Sequence, residues 1–587
     1  MHNQKLRPLD RRQLAELISV SRGILAADLV IKNGTVINVY TGELHKADVA
    51  IKGKHIASVG GNYLVGESTQ VINARGMYIC PGYIEPHAHP FQTYNPVTLS
   101  SKVLSLGTTT LICDNLFFFM VTDEERLLAL WQELNALPVK LLWSVRLDPQ
   151  THARERAARF ATRRIKRLLD TPLARQVGEL TDWPSLLAGD EQMLENIILA
   201  GKLGKRVEGH APGASSLTLN ALAAGGVSAC HESITGDEAI NRLRLGMYVT
   251  LRHSSLRPDL PTLLKDILAS GVGLWRAMIT TDGLTPPSMV NGFTDYLLRL
   301  TMEAGVPPVE AYRLATINPA TYYRLDDELG GVAPGKLADI LLLEDLDKPT
   351  PVKVISEGKL VAEKGKTLVR FSTPRWSDYG VVPISGPPKE LVENDLVPPA
   401  GETAFPVMQL VNPVITRRKD VALPAIDGGL DISGAKRLVY ATLLDREGKW
   451  ACNGILDGFA ENLAGMACSS TITGDPLVLG QVPGAMLQAT RRLFELGGGL
   501  VMVEDGRVIY ELELPLGGIM NNDPVDKLID KCSRFYTLLA ERGHKHYDAL
   551  YTILFLSATH LPEIRLSPSG ILLVKEKVVL VPSRAIA

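Results

Sequence analysis

The chain has 587 residues, 45% hydrophobic and 21% charged, with 62 basic against 64 acidic side chains, the profile of a globular protein too long for one core and expected to divide into three or four domains. The near-neutral balance, with no basic patch interleaved with aromatics, excludes a nucleic-acid partner and favours a small molecule. No apolar run approaches the roughly 18 residues of a membrane span, the charged start lacks a signal peptide's apolar core, and six scattered cysteines form no C-x-x-C pair, so a cytoplasmic protein is expected, without membrane, disulfide framework or zinc ribbon.

Residues 8 to 25, with Leu14, Leu17, Ile18 and Ile24 near helical spacing, predict an amphipathic leading helix within an extension over 1–26. From Ala27 the period shortens to two. Short strands at 29–31, 34–39, 48–51 and 56–60 are separated by Lys32-Asn33-Gly34 and Lys52-Gly53-Lys54 turns. The stretch from Tyr78 to His89 reads as a buried strand on which alternation sends His87 and His89 to one side. An isolated His-x-His fits a surface loop equally well, so the sequence beyond it decides.

There strand alternates with helix, the texture of a parallel sheet with helical crossovers. Eight candidate strands follow: 78–87, 108–115, 141–147, 175–180, 205–210, 227–231, 247–252 and 275–282. Eight strands over about 250 residues predict a (β/α)8 TIM-like barrel at 78–329. Pro307-Pro308 opens a helix, and strands return near 335–343 and 352–361, so 27–77 plus 330–370 predict a composite β domain. Residues 371–425, with Gly386-Pro387-Pro388 and Val397-Pro398-Pro399, read as a linker with some strands. An α+β C-terminal domain over 426–587 mixes strands such as 438–444 and 499–503 with helices near 480–496 and 525–541. Its Gly497-Gly498-Gly499 lies between helix and strand, the reverse of a phosphate loop, and reads as helix termination. The fold class is thus α/β, a barrel with a composite β domain and an α+β C-terminal domain.

In such a barrel the chemistry sits at the C-terminal ends of the strands. The polar residues there are His87 and His89 after the first strand, Glu179 in the fourth, His210 after the fifth, His231 after the sixth and Asp282 after the eighth. Each has an ordinary reading alone: Glu179 a solvated strand end, His210 a loop residue, His231 a core residue, Asp282 an Asp-Gly turn. Their recurrence at strand ends of one barrel points to a pair of divalent ions, Mn2+, Fe2+ or Zn2+. His87 and His89 would hold one ion, His210 and His231 the other, Glu179 would bridge, and Asp282 would complete the ligand set of the first ion. Such a site makes hydroxide available near neutral pH, and Asp282 would move its proton to a leaving nitrogen.

The chain resembles the metal-dependent amidohydrolases and, within them, the adenine deaminase family. The resemblance rests on the stretch Pro81 to His89, on Gly209-His210-Ala211-Pro212-Gly213, on His231-Glu232 with Leu243 to Val249, on Ala315 to Ala320 and on Gly330 to Ile340. It implies a hydrolase of C–N bonds in cyclic amidines, converting adenine and water to hypoxanthine and ammonia by attack of a metal-bridging hydroxide. It further implies Glu232 as the group that protonates a ring nitrogen, and a homo-oligomer.

Several positions depart from the family pattern. Pro90-Phe91-Gln92 stands where Ile-Glu-Ser is usual, Asp114-Asn115-Leu116-Phe117 in place of Asp-Pro-His-Glu, Gly283 in place of a second aspartate, and Arg252-His253-Ser254-Ser255 in place of a Glu-Gly-Ser. The family's His-Asp-Ser-His cluster is absent, with Ile472-Thr473-Gly474-Asp475 in that region. These changes spare the ligands and alter substrate contacts, so Phe91 and His253 are the candidate substrate-binding residues. Phe117, Phe118 and Phe119 either shape the pocket or pack. Another aminopurine or heterocycle, a cyclic amide or ureide, and a catalytically silent binding protein remain the alternatives.

Overall fold

A computed structural model describes residues 5–151, 156–386, 391–401 and 404–586. The first four residues and the Pro387-Pro388 pair lie outside them. Among the described residues no helix is long and apolar enough to cross a membrane, and all six cysteines are free and buried.

Eight parallel strands form the barrel: β1 (Tyr83–Ala88), β2 (Thr108–Asp114), β3 (Lys140–Val145), β4 (Ala174–Leu180), β5 (Arg206–Gly209), β6 (Ala229–Cys230), β7 (Tyr248–Arg252) and β8 (Ala277–Thr280). They pair in chain order, for example Lys140 with Thr110 and Ser144 with Asp114 across β2 and β3. A parallel bridge between Ala88 and Asp282 joins the last strand back to the first. Every residue of β1, β2, β3 and β4 is buried, as strands packed on both faces must be. Trp275, expected to open the eighth strand, is 80% exposed and outside it.

The expected first strand, 78–87, is two strands. Tyr78–Pro81 pairs antiparallel with Ile340–Leu343 and parallel with Thr35–Asn38, in a seven-stranded sheet that carries segments from both sides of the barrel. Gly82 is the crossing point: its N–H donates to the Asp339 carbonyl at 2.9 Å, and a Cβ there would lie 2.3 Å from Thr109 Oγ1. Only glycine fits so close an approach. A smaller four-stranded sheet, from His55–Val59 to Gln70–Asn73, receives the leading helix Arg11–Ser21, which buries Leu17 and Val20 against Val30, Ala50 and Ala57. Asp10 and Gln13 cap that helix reciprocally.

The stretch read as a linker is only partly connector. Phe405–Leu410 and Thr416–Val421 pair with each other and join the nine-stranded sheet of the C-terminal unit; the alternation Phe405, Val407 on an edge hairpin is masked in sequence by the exposed Arg417, Arg418 and Lys419. Helices Pro483–Glu495, Val525–Glu541 and Ala549–Phe555 and a three-stranded sheet from Ile564–Ser567 to Val578–Pro582 also belong to the unit. It sits on the C-terminal end of the barrel. Asn521 N–H donates to the Thr93 carbonyl and the Asn95 amide to the Asn521 carbonyl, both at 2.8 Å. Thr151 Oγ1 donates to the Ser557 carbonyl at 3.0 Å. A contiguous apolar core runs from the barrel into this unit.

Candidate metal centre

Alternation along β1 and beyond sends Glu85, His87 and His89 into the barrel. Glu85 is spent on structure, accepting from the Thr281 N–H and hydroxyl at 3.1 Å and so clasping β1 to β8. His87 Nε2 and His89 Nε2 stand 3.2 Å apart. Opposite them, His210 Nδ1 and His231 Nε2 stand 3.1 Å apart. Glu179, at the end of β4, lies between the two pairs. Its Oε2 is 3.7 Å from His87 Nε2 and 3.8 Å from His89 Nε2, and its Oε1 is 2.5 Å from His210 Nδ1 and 3.8 Å from His231 Nε2. Asp282 Oδ1 is 3.0 Å from His89 Nε2 and 3.5 Å from His87 Nε2.

The donor set suits divalent ions. Three of the imidazoles have their far nitrogen on a carboxylate: His87 Nδ1 to Glu208 at 3.0 Å, His231 Nδ1 to Glu208 at 3.2 Å and His89 Nδ1 to Asp114 at 3.1 Å. A carboxylate accepts only, so each holds its Nδ1–H and leaves the Nε2 lone pair aimed inward. Lone pairs converging at such spacing repel unless a cation lies between them.

A second layer of charge holds the carboxylates. Arg146, fully buried, donates to both Asp114 oxygens at 2.7 and 2.9 Å and to Glu179 Oε2 at 3.0 Å. Gln150 Nε2 donates to Glu179 Oε1 at 3.2 Å. Glu232 lies 3.6 Å from His210 Nδ1 and from His231 Nε2, and receives Arg252 together with Arg257, the latter at 2.8 Å. Arg252 also donates to Asp282 Oδ2 at 3.0 Å. Burial would raise the Glu232 carboxyl, but Arg252, His210, His231 and Arg257 outweigh it and hold it at about 2. Burial is likewise outweighed at Glu208, by His87 and His231, which bring it to about 2.

The site opens into a cavity of about 1160 Å3 whose wall comes from both the barrel, with Phe91 and Phe117, and the C-terminal unit, with Ile415, Trp450, Tyr551 and His560. Phe91 packs edge-on against His89, ring centroids 5.8 Å apart. Phe118 and Phe119 are fully buried in the core, Phe118 stacking on Trp376. His253 does not line the cavity. Side chains alternate along β7, so Arg252 faces the centre and His253 turns away to pack edge-on against Tyr296 at 5.6 Å.

Glu208, Arg146, Arg252, Gln150 and the C-terminal residues were not singled out by sequence reasoning. Two of them carried a signal: Glu208 is two residues before His210 on the same strand face, and Arg252 stands where a carboxylate was expected. Tyr551 and His560 carried none.

Profiles of known families divide the chain in two. The amidohydrolase family matches residues 78–361 and the adenine deaminase C-terminal domain residues 413–577. Two proteins provisionally named adenine deaminases resemble it along almost their whole length: one of Halalkalibacterium halodurans, 37% identical with 98% of each chain covered, and one of Bacillus subtilis, 38% identical with 95% of this chain and 96% of the relative covered. A protein of Moorella thermoacetica named adenine deaminase is 33% identical, with 96% of this chain and 97% of the relative covered.

Proposed function

The chain belongs to the adenine deaminase family of the amidohydrolases, and we propose that it hydrolyses adenine to hypoxanthine and ammonia in the cavity between the barrel and the C-terminal unit. The observation that carries this reading is the placement of Glu179, whose two carboxylate oxygens face two separate histidine pairs, with Asp282 beside one of them. His87, His89 and Asp282 would hold one divalent ion, His210 and His231 the other, and Glu179 would bridge them. Two ions so held supply water of near-neutral pKa.

The remaining steps belong to the chain's own groups. The water oxygen bonds to the amino-bearing ring carbon and becomes the carbonyl oxygen of the product. One water proton goes to the adjacent ring nitrogen through Glu232, and the other passes through Asp282 to the amino nitrogen, which leaves as ammonia. Arg252 contacts both carboxylates and keeps them ionised, ready to take these protons. Phe91 supplies an apolar wall beside His89.

The test is ammonia release from adenine by purified protein, stripped of metal and then reconstituted, with metal counted per chain. Well under one ion per chain after growth in manganese- or iron-supplemented medium would overturn the metal assignment. One observation favours a second reading. Pockets of about 300–1,000 Å3 enclose drug-sized ligands, so a cavity of about 1160 Å3 exceeds what a bare purine fills. An aminopurine or related heterocycle bearing an extension is the alternative, and a panel of substituted aminopurines, pterins and lactams separates them. Lactam opening without ammonia would overturn deamination altogether.

A further inference from the structure

Tyr551 lies on the helix Ala549–Phe555 of the C-terminal unit, and its side chain enters the mouth of the barrel. The residue is 5% exposed. Among the described residues the Tyr551 hydroxyl bonds to no protein group, while Asp548 accepts from the backbone N–H of this residue at 3.1 Å, so the hydroxyl is left to the cavity that the side chain lines. The ring is held in place by stacking on Phe555, centroids 5.4 Å apart.

The hydroxyl ends against Gly283, the residue that follows Asp282. A Cβ at position 283 would lie 1.4 Å from the Tyr551 hydroxyl oxygen, 2.7 Å from its Cζ, and 3.5 Å from His89 Cδ2. Position 283 therefore has no space for a side chain, because the phenol fills it. The space beside Asp282 is thus taken by a neutral hydroxyl delivered from a different part of the chain.

We propose that Tyr551 is a substrate-contacting residue of the reaction centre, whose hydroxyl donates a hydrogen bond to an acceptor atom of the heterocycle on the Asp282 side of the cavity. Gly283 is the residue that makes room for it. This rests on the deaminase reading for the identity of the substrate, but not for the geometry.

The experiment is Tyr551→Phe in the metal-loaded full chain, assayed on whichever heterocycle of the panel the wild type turns over. Loss of one preorganised donor is expected to lower kcat/KM by about 10²- to 10³-fold, with thermal unfolding and metal content unchanged because the hydroxyl has no protein partner to lose. A kcat/KM within twofold of wild type overturns the assignment. Gly283→Ala is expected to impair the enzyme through displacement of the phenol, and so to add nothing in a Tyr551→Ala background. Additive effects of the two changes count against it. If the wild type releases no ammonia from any compound, the deaminase reading fails by itself. Tyr551 is then judged on calorimetric binding of adenine and hypoxanthine, where affinities equal in wild type and Tyr551→Phe overturn the contact.

Discussion

Replacing Glu208 by glutamine should weaken one metal position and spare the other, and the hydrogen-bond pattern says which. The carboxylate serves one histidine of each pair, accepting from His87 Nδ1 through Oε2 at 3.0 Å and from His231 Nδ1 through Oε1 at 3.2 Å. An amide has one acceptor oxygen. The Gln176 amide nitrogen also donates to Oε2, at 2.7 Å, so the oxygen of a glutamine at 208 must stay on that side and its NH2 must face His231. There a donor meets a donor. His231 then loses its bond or changes tautomer, which puts a hydrogen on the nitrogen aimed at the centre. Losing such an orienting carboxylate costs about 10- to 100-fold in metal affinity, or about 1.4–2.7 kcal/mol. The assay is metal content per chain after dialysis against graded chelator. Wild type should hold two ions and Glu208→Gln one across that range of free metal, with turnover falling in parallel. Two ions held at wild-type affinity by folded variant protein would refute the role of Glu208. Equal weakening of both positions would refute the asymmetry.

Asp282→Asn should lower kcat by about 10²- to 10⁴-fold, the range for loss of a proton-transfer group, while circular dichroism stays that of the wild type; an unchanged rate removes Asp282 from proton transfer. Arg252→Met removes the cation that acts most strongly to hold Glu232 at about 2 against burial, so the acid limb of kcat/KM should move to higher pH, and a superimposable pH profile contradicts that control. The stability contribution of Glu232 has a fixed sign. Its folded value of about 2 lies below the ordinary 4.5, so the contribution is complete above about 4.5 and lost as pH falls toward 2. Scanning calorimetry of Glu232→Gln should show a flatter fall of apparent Tm across that window, and a slope matching wild type would show that the Arg252 and Arg257 pairs do not act on stability.

Strand ends were readable in the sequence because period-two alternation and apolar runs are local, and His87, Glu179 and His231 sit at those ends. At the site and at the barrel's entry the reading slipped by one residue or one strand. His253 was chosen over Arg252, and on a strand a one-residue error reverses the face. The apolar run from Tyr78 concealed a change of sheet at Gly82, because a strand buried in either sheet carries the same residues. Glu208 was legible in principle from its i, i+2 relation to His210. Tyr551 was not, since nothing local marks a tyrosine on a short apolar helix as the neighbour of an Asp-Gly pair far earlier in the chain. That contact exists only through docking of one unit on another.

The same docking explains why the ligands alone do not make the site. All six candidate ligands lie on barrel segments, yet barrel strands end in loops open to water. Here the loops are engaged by the second unit: Thr93 and Asn95 by Asn521, Gln150 by His560, Leu256 by Tyr547 and Thr285 by Asp548. Phe117 abuts Gly517, where a Cβ would lie 2.3 Å from the ring. Excluding bulk water strengthens every charge interaction within. That matters for a centre in which Arg252 must hold two carboxylates ionised at once. The reaction consumes one water molecule, and a cap that lowers the surrounding dielectric serves it better than an open mouth. On this view Phe117 and Gly283 belong to the barrel's side of an interface, with Gly517 and Tyr551 of the C-terminal unit fitted against them.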